Sequence, residues 1–363
     1  MKNKNINIVS LHGSYFTNNY GDVLLVNLFY NWIREAFPSV IVNLPLVDKK
    51  RIKEMPEPST SDILNLIKSD CLVYCGGGYF GEQPGSKLKW SLRNFYRHGI
   101  VGIIAIVFHI PIAIIGVEIG PISSSWFRHI VLWIVKKSKV VVVRNQESFE
   151  YLQKYGVNSA ILAADAVLSL NQSFPKDVNN QVVVDKCKIV LHLPGYTKYR
   201  EELESFVNAL CNCLISINSR FQLVFVEDIP HQYSNNYNKL FQIIGQNGLE
   251  YTVMKYVGMK QLMEVVKESY AVFTTKLHVG ITAAAFNKRV FSMYMHPKTL
   301  RFHHQIENDA YCMPISKLLD YDNLDEKLTD FLNSKDKALP SSVLTLAMKC
   351  KTELESFIHS CLS

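Results

Sequence analysis

The feature that most constrains this chain is a set of apolar runs without alternation: "CLVYCGGG", "IAIIGVEIGP", "KVVVVRNQES" and the run Tyr270-Ala271-Val272-Phe273. A strand with one wet face alternates apolar and polar residues, so near-continuous Val and Ile require cover on both faces. Runs of that kind, separated by segments of helical spacing, specify a parallel sheet with helices on each side.

Along the chain the order is strand, helix, strand, repeated. Ile6–Leu11 reads as a first strand, followed by the polar loop "HGSYFTNNYGD" and an apolar helix from Val23 to Ala36. Ser39–Leu44 is the next strand, then come a Pro-rich turn, a helix around Asp62–Ile67, and a buried strand ending in Gly76, Gly77 and Gly78. Two further strands, "IAIIGVEIGP" and "KVVVVRNQES", flank a helix over Trp126–Lys136. Residues 171–186 lose apolar density and read as a linker. A second alternating series runs from the strand Lys188–Leu193 to the strand Tyr270–Thr274, the helix His278–Phe286 and the strand Val290–Met293. The expected fold class is therefore α/β, with two doubly wound Rossmann-like domains. Residues 1–170 form the first, 187–340 the second, and 341–363 a helix that packs back on one of them. Two such domains imply a cleft between the carboxyl ends of their sheets, the usual ligand position.

With 363 residues, 48% of them hydrophobic, the chain is long enough for two domains. Its 39 basic and 32 acidic residues leave a net charge of +7, which permits an acidic ligand or an anionic membrane surface and requires neither. No run of Lys or Arg resembles a nucleic-acid tail, so nucleic acid is not an expected partner. The eight cysteines include no CxxC pair, and buried free thiols in a reducing compartment account for them. Since the N-terminus lacks a signal-peptide core, a cytoplasmic location is expected. The charge-free stretch Gly99–Val117 has the length of a minimal membrane span. Pro111 divides it, however, and a buried helix ending near Phe108 followed by a strand Ile112–Val117 explains the same residues. Peripheral membrane contact stays open.

"TTKLHVG", residues 274–280, places Lys276 and His278 where a buried strand gives way to a helix. Backbone N–H groups and the helix dipole favour an anion there. Lys276 adds a point charge, and His278 adds a donor that exchanges a proton near neutral pH. From Ser269 to Ile306 the chain has no Asp or Glu but carries Lys276, Lys288, Arg289, Lys298, Arg301 and four histidines. The bland alternative makes Lys276 a solvated loop residue and His278 a helix cap.

The glycines 76–78 allow positive φ and close ligand approach, or equally a tight turn under a helix. "NNYGD" sits between the first strand and its helix, where Asp22 serves as an N-cap or a ligand contact. Arg144, at a strand end, can fork onto a carboxylate or phosphate of a ligand, or can pair with Glu147 or Asp165 as scaffolding. Asp165 in "AADAVL" reads as a structural hydrogen bond. His296, His303 and His304 lack the partners of a metal site, and no metal is expected.

Taken together, "NNYGD", "GGG", "GVEIGP", "VVVRNQES" with "AADAVL", and "TTKLHVGITAAAFNKRVFSMYMHPK" resemble the polysaccharide pyruvyl transferase family over about residues 7–305. The resemblance implies a GT-B-like fold and a transferase that moves pyruvate from phosphoenolpyruvate, a co-substrate with no further cofactor, onto a sugar or lipid-linked oligosaccharide. The product would be a pyruvate ketal on a cell-surface polysaccharide or its precursor. By the same resemblance Arg144 matches the arginine of the family's R-D-x-x-S segment and His278 the histidine of its R-L-H segment. Lys276, Leu277, His278, Arg144 and Lys298 would serve the donor, with His278 catalytic. Asn18, Gly21, Asp22, Gly76, Gly77 and Gly78 would line the acceptor side. Lys276 stands where the family has arginine, and Asn145 where it has aspartate. The alternative is a glycosyltransferase of the same fold using a nucleotide sugar. Such an enzyme commonly has a carboxylate after its phosphate-binding helix, whereas here the first acid is Glu307.

Overall fold

The computed structural model describes residues 7–16, 19–47, 61–82, 88–173, 187–217, 221–228 and 237–363. The chain forms two compact units, one built from residues 1–169 and 344–363, the other from 170–343. The residues read as a linker lie, from 174 to 186, outside the described ones.

The first unit holds β1 (Ile8–His12), α1 (Tyr20–Ala36), β2 (Ile41–Asn43), α2 (Ile63–Ile67), β3 (Cys71–Phe80), α3 (Leu88–Asn94), α4 (Ile100–Val107), β4 (Ile112–Ile119), α5 (Ser125–Lys137), β5 (Val140–Val143), α6 (Gln146–Lys154) and β6 (Ile161–Leu162). Its six strands pair in parallel in the order β2-β1-β3-β4-β5-β6. The unalternating sequences occupy the middle of this sheet, and β4 is buried at every position. The strand read as ending at the glycines instead runs through them to Phe80. The charge-free stretch resolves into α4 and β4. Among the described residues no helix is long and apolar enough to cross a membrane.

The second unit holds α7 (Leu170–Ser173), β7 (Cys187–His192), α8 (Arg200–Ile217), β8 (Phe221–Val226), α9 (Asn238–Gln246), β9 (Glu250–Met254), α10 (Met259–Glu268), β10 (Ala271–Thr274), α11 (Leu277–Ala285), β11 (Arg289–Tyr294), α12 (Pro297–Gln305), β12 (Cys312–Pro314) and α13 (Leu324–Asn333). Its parallel order is β12-β11-β10-β7-β8-β9. Phe273 of β10 anchors this core, its ring 5.5 Å from Phe206, 5.6 Å from Phe291 and 5.0 Å from Phe331. The last helix, α14 (Ser341–Leu362), is assigned from Leu344 onward to the first unit. Cys350 Sγ there donates to the Ala164 carbonyl, and Ala347, Leu354 and Ile358 are fully buried.

Several histidines are structural. His303 is fully buried; its Nδ1–H donates to the Asn308 carbonyl at 3.0 Å, which leaves Nε2 to accept from the Ser292 hydroxyl at 2.8 Å. His12 is equally buried between Tyr15 and His98, its Nε2 2.9 Å from His98 Nδ1. Burial lowers the His303 imidazole to about 4 and that of His12 to about 3. Both are therefore neutral when folded, whereas in the unfolded chain they protonate near pH 6.5. The unfolded state then binds more protons below that pH, and stability must fall as pH drops. Between pH 7 and pH 5 each such histidine should remove about 2 kcal/mol. Urea unfolding at the two pH values measures the loss, and equal midpoints would refute it. His303→Gln should remove that residue's share.

Candidate active site

In a doubly wound sheet, ligands sit at the carboxyl ends of the strands where the order reverses direction. In the second unit the reversal falls between β7 and β10, joined beyond their ends by the Thr275 N–H donating to the His192 carbonyl at 3.0 Å. The carboxyl ends of β7, β8 and β10 bring three side chains together there. His192 Nε2–H donates to Asp228 Oδ1 at 3.0 Å, and Lys276 Nζ lies 2.8 Å from Asp228 Oδ2. Burial alone would raise the Asp228 carboxyl; His192 and Lys276 outweigh it and hold the group well below the carboxylate range. One carboxylate thus fixes an imidazole and an ammonium.

Lys276 is the N-cap residue of α11, and its backbone N–H donates to Thr274 Oγ1 at 2.9 Å, which turns the chain from strand into helix. Leu277 and His278 open that helix, with His278 8% exposed. The first turn contains no acid, so the helix dipole is uncompensated along its own sequence. Lys298 lies half-buried in the first turn of α12, which follows the neighbouring strand β11.

The acid-free reading of Ser269–Ile306 holds along the chain and fails in space. Lys276 pairs with Asp228, Arg289 Nη1 with Asp336 at 2.6 Å, and His304 Nδ1 with Asp309 at 2.6 Å. Parallel crossovers set remote loops beside one another, and a local count cannot see them. His192 and Asp228 are functional candidates that the sequence reading missed. Their signal was present, since each ends an apolar strand run with a polar group, "KIVLH" and "LVFVED".

In the first unit the reversal falls between β1 and β3. Asn18 lies outside the described residues. Asn19, not Asp22, is the N-cap residue of α1; Asp22 stands three positions in and accepts from Asn19 Nδ2 at 3.0 Å. Gly21 is buried beside it. Gly76 has φ +38°, and a Cβ there would come within 2.7 Å of Leu25 Cδ2, so this glycine lets α1 close onto β3. A Cβ on Gly77, φ +99°, would lie 3.8 Å from Asp22 Oδ1, which puts that backbone beside the carboxylate. Gly78 continues the strand.

Arg144 departs from the expected donor grip. Its Nη1 donates to Asp165 Oδ2 at 2.7 Å and its Nη2 to Glu118 Oε2 at 2.9 Å, with all three residues buried. Burial would lower the guanidinium's pKa, but the carboxylates of Asp165 and Glu118 prevail and raise it. The fork is therefore made onto the protein's own β4 and the segment after β6, as in the scaffolding alternative. Asn145 keeps a structural role as well: its side chain caps α6 by accepting from the Ser148 N–H at 2.9 Å.

Among solved structures, the chain resembles UDP-GlcNAc 2-epimerase from Methanocaldococcus jannaschii, with a TM-score of 0.64 at 13% identity, covering 96% of this chain and 99% of that one. The Neisseria meningitidis enzyme bound to UDP-GlcNAc gives 0.57 at 10% identity over 98% and 100%. The Rickettsia bellii enzyme gives 0.57 at 10% over 98% and 96%. At these identities the likeness concerns the fold alone, which is the GT-B-like arrangement of two parallel-sheet units. Among curated protein sequences no significant match is found. The polysaccharide pyruvyl transferase family profile, in contrast, matches residues 19–297. With most of its length matched, from the start of α1 to the start of α12, the chain belongs to the polysaccharide pyruvyl transferase family.

Proposed function

We propose that the protein transfers pyruvate from phosphoenolpyruvate onto two hydroxyls of a sugar, giving a pyruvate ketal on a cell-surface polysaccharide or its precursor. The observation that carries this reading is the first turn of α11, where Lys276, steered by Asp228, and His278 stand at the strand-order reversal of the second sheet. A donor with a carboxylate and a phosphate suits a helix N-terminus with an adjacent ammonium.

In this scheme the protonated His278 gives its proton to the donor's methylene carbon, which becomes a methyl group, and positive charge develops on C2. One sugar hydroxyl bonds to C2, and its proton restores His278. The C2–O bond to phosphate then breaks, phosphate leaving with the electron pair. The second hydroxyl bonds to C2 and its proton departs on the phosphate. Lys276 and the N-terminal turn of α11 hold the donor's negative charge throughout, and Lys298 is assigned to the same anion. The acceptor sugar is assigned to the first unit, where Asp22 beside Gly77 offers a carboxylate to sugar hydroxyls.

Incubation with phosphoenolpyruvate should raise the melting temperature, by the equivalent of about 2.7 kcal/mol at a hundredfold excess over Kd. A nucleotide sugar should not. A shift with UDP-GlcNAc alone, the ligand of the Neisseria structure, would favour the glycosyltransferase reading instead. Mass spectrometry of acceptor glycans for the ketal increment then identifies the product.

A further inference from the structure

The first unit carries an exposed surface that the transfer reaction does not use. Residues Leu88–Asn94, a π-helical turn at Phe95–Gly99 and Ile100–Val107 follow one another without a break. The resulting rod of 20 residues is about 30 Å long. Leu88, Leu92, Tyr96 and Val107 stand out from it at 63%, 42%, 62% and 61% exposure. Ile100 and Ile103, partly exposed, fill the interval. Steps of four residues overshoot a full turn by about 40° each, and the wider π turn takes back part of that drift. The apolar positions therefore remain on one stripe along the rod.

α5 lies against the rod: the Phe95 ring is 5.6 Å from Trp126, and a Cβ on Gly102 would meet Ile134 at 2.7 Å. Trp126 and Trp133, 37% and 41% exposed, project from α5 seven residues apart, on one helical face. Lys89, Arg93, Lys136 and Lys137 are exposed on these helices, whereas Arg97 lies over the Phe16 ring and Arg128 donates to the Ile122 carbonyl at 3.0 Å. Between residues 83 and 146 the one acid is Glu118, which is buried on Arg144. The segment's own outer side chains are thus cations, Trp, Tyr and aliphatic groups, and the carboxylate held against it, that of Glu82, accepts from the Ser123 N–H and hydroxyl just before α5.

We propose that this face docks on an anionic phospholipid surface, with Leu92, Tyr96, Trp126 and Val107 entering the headgroup region and the exposed Lys89, Arg93, Lys136 and Lys137 meeting lipid phosphates. A helix lying in the interface combines these features: an apolar stripe with aromatic residues, edged by basic side chains. Charge complementarity selects the occupant. Pairing with a second copy through the same patch would set these cations against themselves, and no acid of the segment could compensate. Docking would bring lipid-linked acceptors within the protein's reach. It requires no substrate, so it stands or falls apart from the reaction.

The test is co-sedimentation of the full chain with vesicles of phosphatidylglycerol and phosphatidylcholine in equal parts, against phosphatidylcholine alone. Binding should be at least about tenfold stronger to the anionic vesicles and should weaken in 0.5 M NaCl, a value chosen to screen charge over about 5 Å. Leu92→Ser/Tyr96→Ser should reduce it at least about tenfold through lost apolar insertion. Lys89→Glu/Arg93→Glu, exposed positions that leave the stripe intact, should do the same and flatten the salt dependence. Far-ultraviolet circular dichroism checks that both variants fold. The proposal is overturned if the parent stays in the supernatant with anionic vesicles or if both folded variants bind as it does. It is also overturned if sedimentation velocity shows a dimer that Leu92→Ser/Tyr96→Ser dissociates.

Discussion

Arg144→Ala should lower the stability of the first unit by about 3–5 kcal/mol, because it removes the cation that both buried carboxylates bond. For a unit of this size that corresponds to a melting-temperature drop of roughly 6–20 °C, measurable by calorimetry. The pH dependence gives the mechanism away. Without the guanidinium, Glu118 and Asp165 should titrate above their unfolded values. The variant's deficit would then grow as pH rises above about 4 and shrink in acid. Replacing the group as a whole, with Arg144→Met, Glu118→Gln and Asp165→Asn together, should recover most of the loss, since the costly state is the half-broken network. A variant as stable as the parent at neutral pH would show that the fork contributes nothing to folding.

His278→Ala should leave the fold intact and reduce phosphate release from phosphoenolpyruvate, with acceptor present, by about 10²–10⁴-fold. The bond from the Thr282 hydroxyl survives truncation because it goes to the His278 backbone carbonyl, at 2.7 Å, and circular dichroism checks that losing the buried imidazole leaves α11 folded. Lys276→Met should act differently. It loses the ammonium paired with Asp228 and should raise KM for the donor more than it lowers kcat. Parallel losses of kcat in both variants would point to a collapsed α11. An unchanged rate in His278→Ala would remove that imidazole from the chemistry.

The fold was readable because its strands are unalternating. A run such as Val140–Val143 has no other stable home than the inside of a covered sheet, and its position follows from the run itself. α13 was missed although Leu324, Leu328, Phe331 and Leu332 repeat at helical spacing and are buried. α12 was missed because its residues were read for charge, while His303, polar in sequence, is its buried face. The site was legible where chemistry is local: Lys276 and His278 share one turn. Where it is assembled from separate crossovers, sequence offered only the halves. Glu118 stands inside "GVEIGP", and nothing in that motif points to Arg144, 26 residues away. Yet an acid inside a fully apolar run announces that it needs a cation. Asp228 reaches Lys276 only through the order of β7, β8 and β10, which no window on the sequence contains.

The assignment of α14 from Leu344 onward to the first unit has a kinetic consequence. During synthesis the ribosome emits the whole of the intervening unit before it emits the helix whose Ala347, Cys350, Leu354 and Ile358 complete the earlier core. The nascent N-terminal sheet must therefore wait, with an apolar groove uncovered, until residues 344–363 have been made, whereas its younger neighbour needs nothing beyond residue 343. A chain released after residue 343 would carry a complete second unit behind an unfinished first, which is the species that chaperones would be expected to hold.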